Sequence, residues 1–97
     1  MADGRYDRLL DGDAVRRFER FALRVANTPG RERVVLALAH VQDDGRAWKS
    51  WLVFEITGAV QDVDRVQLSF GQVYMSDPVD GAPQLPPELE GEAIFEA

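Results

Sequence analysis

Cysteine is absent from this 97-residue chain, and histidine occurs once, as His40. The absence of cysteine excludes disulfides, thiolate nucleophiles and cysteine-ligated metal sites. No apolar run approaches the ~18 residues that a membrane-spanning helix requires. The opening MADGRYDRLL carries charges where a signal peptide would be apolar. We therefore expect a cytoplasmic protein with a single domain, because a chain of this length can bury one core.

Basic residues are missing from the end of the chain. Residues 77–97 contain no lysine or arginine but six acidic residues, namely Asp77, Asp80, Glu88, Glu90, Glu92 and Glu96. Residues 1–33 hold eight basic and six acidic residues, whereas residues 34–97 hold three basic and eleven acidic ones. The net charge of -6 disfavours broad binding to nucleic acids or anionic membranes, because both require a basic surface.

Residues 13–28 are predicted to form a helix. Asp13 is a favourable N-cap, and Pro29 stops the helix because it cannot continue the hydrogen bonding. An apolar stripe at three- and four-residue spacing contains Ala14, Val15, Phe18, Phe21, Ala22, Val25 and Ala26.

Three arginines form a second row on this helix. Arg16, Arg20 and Arg24 lie one turn apart, and like charges at this spacing repel one another. The row therefore favours an acidic neighbour, for which Glu19, Asp13 and the acidic tail are the candidates.

Residues 33–42 and 46–57 are predicted to form a β-hairpin. A three-residue loop ends at Gly45, which takes the left-handed position of a bulged turn. This register separates two faces of the hairpin. The first face holds Val34, Leu36, Leu38, Trp48, Leu52 and Phe54, and the second face holds Val35, Ala37, Ala39, Val41, Lys49, Trp51, Val53 and Glu55.

The remaining chain predicts one further strand and a tail. Residues 58–64 are expected to connect the hairpin to a strand in which Val66, Leu68 and Phe70 alternate with polar residues. Gly71 shifts this alternation and predicts a β-bulge or a bend. In the tail, Ile94 and Phe95 predict a docked segment or a short final strand.

These elements predict an α+β fold, with an N-terminal helix packed on one face of a three- to four-stranded antiparallel β-meander. Within the single domain 1–97, residues 1–12 form an N-terminal segment, 13–28 the helix, 32–76 the meander and 77–97 the acidic tail. The helix is expected to cover Leu36, Leu52, Phe54, Leu68 and Phe70. The second face is then either capped by the tail or left as an apolar patch for a partner.

Few residues in the sequence suggest catalysis or metal binding. His40 is expected to be an ordinary, semi-exposed strand histidine across the ladder from Lys49. The acidic pairs at 11/13, 43/44 and 62/64 fit helix capping, turns and loops. The spacing of the first pair resembles the start of a calcium loop, but the ligand pattern does not continue. We expect neither catalytic residues nor a metal or cofactor. Trp48 is expected in the core, and Trp51 is the candidate anchor for a partner.

The leading hypothesis is a non-enzymatic protein–protein interaction module. Such a module would be a small acidic inhibitor that occludes a basic, nucleic-acid-binding surface of a partner protein, like phage inhibitors of host defence or immunity and antitoxin proteins. We expect no direct contact with nucleic acid or membrane, and a possible homodimer through the second face. The candidate partner-binding residues are Trp51, Asp77, Asp80, Glu88, Glu90, Glu92, Arg16, Arg20 and Arg24.

Two alternatives remain open from the sequence. One is a structural or homodimeric module whose acidic tail docks on its own arginine helix. The other is a small-ligand binder or enzyme with a pocket between helix and sheet, lined by polar groups such as His40, Tyr74 or Glu55.

Overall fold

The computed structural model describes residues 6–60, 65–76 and 83–97. These residues contain one α-helix and a four-stranded sheet, with strand order β3-β2-β1-β4. The α+β fold and the position of its helix before the strands are confirmed. The elements are a 3₁₀ turn at Tyr6–Arg8, α1 at Gly12–Ala26, β1 at Arg33–Val41, β2 at Ala47–Val60, β3 at Arg65–Met75, a 3₁₀ turn at Pro87–Leu89 and β4 at Ile94–Glu96.

Helix α1 begins and ends earlier than predicted. Asp11, rather than Asp13, is the N-cap, and its carboxylate accepts a hydrogen bond of 2.8 Å from the N–H of Ala14. Asp13 lies in the first turn, where its carboxylate is 3.5 Å from the guanidinium of Arg17. Both carboxylates lie at the N-terminal end of the helix. The backbone N–H groups there have no acceptor within the helix backbone, so negative charge is favourable.

The apolar stripe of α1 packs on the first face, as predicted. Phe18 and Ala22 are fully buried and share one core cluster with Leu36, Leu52, Phe54 and Leu68, against which Phe70 packs. The ring of Tyr6 completes this core, since it contacts Phe18 and Phe54 edge-on at centroid distances of 5.2 and 5.6 Å. The first 3₁₀ turn is therefore part of the fold.

The hairpin has the predicted register. Arg33 lies opposite Glu55, and the N–H of Gln42 donates to the carbonyl of Arg46 at 2.8 Å across the three-residue loop. Gly45 has a φ of 86°, the left-handed conformation that this turn requires. Strand β2 continues to Val60, so the expected connection at 58–64 begins later than predicted.

Two bulges bend the pairing of β2 with β3. Val53 lies opposite Gln72 and Phe54 opposite Phe70, so Gly71 is the extra residue that the sequence predicted. A Cβ at this position would lie 3.3 Å from the carbonyl oxygen of Val53, and glycine therefore suits the close approach. A second bulge, at Thr57, was not predicted.

Strand β4 pairs with β1 in parallel, which corrects the expectation of a purely antiparallel sheet. Val35 lies opposite Ile94, and Leu36 lies opposite Phe95. Strand β3 runs in the same direction as β1, because each is antiparallel to β2. Strands β3 and β4 therefore also run in the same direction, and consecutive strands of this kind require a crossover connection rather than a hairpin turn.

The cap of α1 gives a first prediction. Replacing Asp11 with Ala should lower the free energy of unfolding by about 0.5–2 kcal/mol, because the N–H of Ala14 loses its acceptor. Urea unfolding followed by circular dichroism measures the change. The matched variant Asp13→Ala should cost less, and a larger loss for Asp13→Ala than for Asp11→Ala would contradict the assignment of the cap.

Candidate interaction surface on the C-terminal strap

Residues 83–97 form a strap that covers the second face of the sheet. Leu89 is 3% exposed and lies in a core cluster of its own with four residues of β1 and β2. Ile94 and Tyr74 pack against this cluster from the strap and from β3. The tail therefore caps the centre of the second face, one of the two outcomes that the sequence left open, whereas Val41 at the end of this face is 75% exposed. The four residues beneath Leu89 are Val35, Ala37, Trp51 and Val53.

The two tryptophans have the reverse of their expected environments. Trp51 is 2% exposed beneath the strap, so its assignment as an exposed anchor for a partner is wrong. Trp48 is only partly buried and stacks on His40, with ring centroids 4.0 Å apart. A partner, including the second copy of the expected homodimer, could contact Val35, Trp51 and Val53 only if the strap left the sheet.

Charged side chains fasten the strap to the sheet. The Arg33 guanidinium donates to the carboxylate of Glu92, whose side chain is only 15% exposed. The Lys49 ammonium lies 2.7 Å from the carboxylate of Glu96. The guanidinium of Arg31 donates to the carbonyl oxygen of Gly91. Glu92 and Glu96 of the tail therefore attach the strap to the sheet.

The backbone of the strap is held as well. The N–H of Val35 donates to the carbonyl of Ala93 at 2.9 Å, and the N–H of Ala97 donates to the carbonyl of Ala37 at 3.0 Å. The strap is thus tied at its end by strand pairing and near its middle by Leu89. Glu90 lies between these two points, and Glu88 directly precedes Leu89 within the 3₁₀ turn Pro87–Leu89.

Glu88 and Glu90 are the acidic side chains that the strap displays. Both are exposed, and they flank the buried Leu89. Within the described ranges, neither carboxylate forms an ion pair or a side-chain hydrogen bond, in contrast to Glu92 and Glu96. Asp77 and Asp80, also predicted to bind a partner, lie outside the described residues.

The arginine row lies on the exposed side of α1, as predicted. Arg16, Arg20 and Arg24, with Glu19 and Leu23, line an open depression of about 410 Å³. Arg16 approaches Asp13 at 3.9 Å, and the carboxylate of Glu19 accepts a 2.6 Å hydrogen bond from the Tyr6 hydroxyl. The acidic tail does not neutralise this row in the part of the chain that the structure describes.

The contact between strap and helix is apolar. The ring of Phe95 lies 5.7 Å from that of Phe18 and 5.5 Å from that of Phe21, centroid to centroid. Where the tail is described, its carboxylates pair with Arg33 and Lys49 on the sheet. Glu92 and Glu96 therefore do not support the alternative in which the acidic tail docks on the arginine helix, and for Asp77 and Asp80, outside the described residues, that alternative stays a prediction.

His40 has a hydroxyl neighbour that sequence reasoning missed. Its Nε2 atom lies 3.0 Å from the Oγ atom of Ser50, which is 7% exposed. His40 lies opposite Trp48, and Lys49 lies opposite Ala39 rather than opposite the histidine. The signal was present in the predicted register, since Ser50 is the diagonal neighbour of His40 on the same face. The hydrogen bond satisfies the buried hydroxyl and links β1 to β2.

The described residues offer few other candidate binding sites. No cluster of three or more histidine or carboxylate side chains there is placed to hold a metal ion. No helix described in the structure is long and apolar enough to cross a membrane. An open apolar groove of about 340 Å³ lies beside the first face, lined by Arg8, Leu9, Leu52, Phe70 and Val73. It includes none of the polar residues that the ligand-binding alternative proposed.

The burial of Leu89 gives a second prediction. Leu89→Ala should lower the free energy of unfolding by about 2–5 kcal/mol, because it leaves a cavity in the cluster on the second face. The exposed Leu85, 42% accessible on the same strap, is the matched control, and Leu85→Ala should change stability by less than about 0.5 kcal/mol. Chemical unfolding measures both variants, and equal effects would contradict the anchoring role of Leu89.

Comparison with known proteins adds no family to this description. No protein-family model matches the chain, and no curated protein and no solved structure matches it significantly. A functional proposal therefore depends on the geometry and charge of the strap.

Proposed function

We propose that this chain is a non-enzymatic protein–protein interaction module whose strap binds a basic surface on a partner protein. The observation that carries the proposal is the exposure of Glu88 and Glu90 on either side of the buried Leu89. Neither carboxylate has an ionic partner among the described residues. Lysine and arginine side chains of a partner can therefore approach both carboxylates without displacing an existing ion pair.

The two kinds of acidic residue on the strap have different roles in this proposal. Glu92 and Glu96 neutralise Arg33 and Lys49, so a partner would have to compete for them. Glu88 and Glu90 are not engaged in this way and form the primary contact. Each exposed ion pair contributes only ~0–1 kcal/mol, but a charged surface can raise association rates by ~10–10³-fold.

Attachment of the strap favours binding energetically. Ordering a flexible segment at an interface costs roughly 0.5–1.5 kcal/mol for each immobilised side chain. Leu89 and the pairing of β4 already restrict the backbone that carries the two free carboxylates. A partner therefore meets a preorganised acidic surface, and less of the interaction energy is lost on binding.

The partner that fits this surface is a protein with clustered lysine and arginine, including one that binds nucleic acid. Such a protein uses those side chains to contact phosphates, and carboxylates compete for the same groups. Binding would then occlude the nucleic-acid site. This is the activity of a small acidic inhibitor, of the type directed against host defence or serving as an immunity or antitoxin protein.

The arginine row of α1 is a separate candidate contact. The helix covers the first face and the strap covers the second face, so the row and the free carboxylates lie on opposite sides of the sheet. A small partner bound to the strap does not reach Arg16, Arg20 or Arg24. We assign the primary contact to the strap because the row is flanked by Asp13 and Glu19.

Neutralising the free carboxylates tests the proposal. The double variant Glu88→Gln/Glu90→Gln should bind an arginine-rich peptide about ten-fold more weakly at low salt, equivalent to 1.4 kcal/mol. It should also show a weaker dependence of affinity on salt, because fewer charges are paired in the complex. Fluorescence anisotropy of a labelled peptide, titrated at several salt concentrations, measures both quantities.

The matched control changes the net charge by the same amount elsewhere. Asp43→Asn/Asp44→Asn removes two carboxylates from the exposed β1–β2 turn. If this control weakens binding as much as the strap variant does, net charge rather than the strap determines affinity and the proposal is wrong. Absence of any salt-sensitive binding by the native protein would contradict it as well.

A further inference from the structure

Strand β3 forms one of the two edges of the sheet among the described strands, and β4 forms the other. Residues 66–75 of β3 contain no charged side chain, although the whole chain has a net charge of -6. Edge strands commonly carry lysine or proline, which prevent pairing with another chain. This edge lacks both residues along that stretch, which makes it suited to pairing with a further strand.

The hydrogen bonding of β3 identifies the backbone groups that point outward. The N–H of Ser76 donates to the carbonyl of Lys49 at 3.0 Å, so the backbone of Ser76 faces β2. Alternation along an antiparallel strand makes Tyr74 and Gln72 face β2 in the same way. The N–H and C=O groups of Val73 and Met75 therefore point away from the sheet.

The side chains at the same positions are apolar and exposed. Val73 is 48% exposed and Met75 is 61% exposed, and they lie opposite Leu52 and Ser50 on the first face. Leu9, 52% exposed, joins Val73 in lining the open apolar groove. Outward-facing backbone groups and exposed apolar side chains thus coincide on the segment that follows the Gly71 bulge.

We propose that this segment pairs antiparallel with the same segment of a second copy, about a two-fold axis at Tyr74. Val73 of each copy then exchanges two backbone hydrogen bonds with Met75 of the other, which gives four bonds in total. The two exposed apolar side chains of each copy also face those of the other across the new ladder. The two sheets join into one continuous sheet.

The lack of charge along β3 permits a second copy as the occupant, and the self-complementary segment favours it. Two copies with a net charge of -6 repel each other over most of their surfaces, but they can meet along an uncharged strand. The segment is self-complementary, because Val73 of each copy lies opposite Met75 of the other copy on both sides of the axis. The inference is independent of the proposed binding by the strap.

The bulge at Gly71 determines the register. An axis at Val73 would place Met75 opposite Gly71 of the second copy, where the bulge interrupts the regular ladder. A shift by one residue would place outward-facing backbone groups opposite inward-facing ones. The axis at Tyr74 avoids both conflicts. The proposed contact is small, and interfaces below ~1,200 Å² are typical of weak and transient complexes.

Cysteine cross-linking tests the pairing directly, because the chain has no cysteine of its own. Tyr74 would face its own copy in a non-hydrogen-bonded pair, where Cα atoms are ~4.5 Å apart, within the range of disulfides. Tyr74→Cys should therefore form a covalent dimer under mild oxidation at least about ten-fold faster than Val41→Cys. Val41 is 75% exposed at the end of β1 and serves as the control for random collision. Equal rates would overturn the proposal.

Sedimentation equilibrium tests the reversible dimer without cysteine. The native chain should show a dimer fraction that rises with concentration, and Met75→Glu should raise the dissociation constant at least about ten-fold by placing carboxylates in the new ladder. Met75→Leu should retain the dimer, and circular dichroism checks that both variants are folded. A native chain that stays monomeric at all concentrations, or a dimer unaffected by Met75→Glu, would overturn the pairing.

Discussion

The packing of Leu89 into the cluster on the second face is the interaction on which the arrangement of this protein depends. The hairpin has two apolar faces, but α1 covers only the first one. Without Leu89, the side chains of Val35, Trp51 and Val53 would meet water, and burial of each such side chain is worth roughly 1.5–3 kcal/mol. The strap that supplies Leu89 also carries the acidic residues. Closure of the core and placement of the free carboxylates are thus consequences of one contact.

Local physics made part of the fold predictable from the sequence. The three-residue loop was identifiable because other loop lengths would mix the two faces of the hairpin, and Gly71 was identifiable because the alternation changes phase there. The parallel pairing of β4 was not predictable. Ile94 and Phe95 indicated that the tail docks, but a short apolar cluster does not specify which edge it joins or in which direction. That choice depends on the path of the chain over the second face.

The candidate site, like the fold, could be predicted from the sequence only in part. The sequence identified Glu88 and Glu90 as acidic residues with no basic neighbour in the tail, and the register assigned Trp48 and Trp51 to opposite faces. It did not show what covers each face, so the buried and exposed roles of the two tryptophans were reversed. Periodicity reports the side on which a residue lies, whereas burial depends on segments that are distant in sequence. The acidic residues that pair with Arg33 and Lys49 were indistinguishable from the free ones for the same reason.

Pairing through β3 would combine with the acidic strap in a specific way. Strands that pair edge to edge in an antiparallel sheet keep the same face on the same side. The two straps would therefore lie on one side of the joined sheet, and the two arginine rows would lie on the other. Each strap would keep its Glu88 and Glu90 exposed, since β4 is at the opposite edge from β3. An extended basic partner would then meet two acidic surfaces at once, and the second contact would form as an intramolecular step.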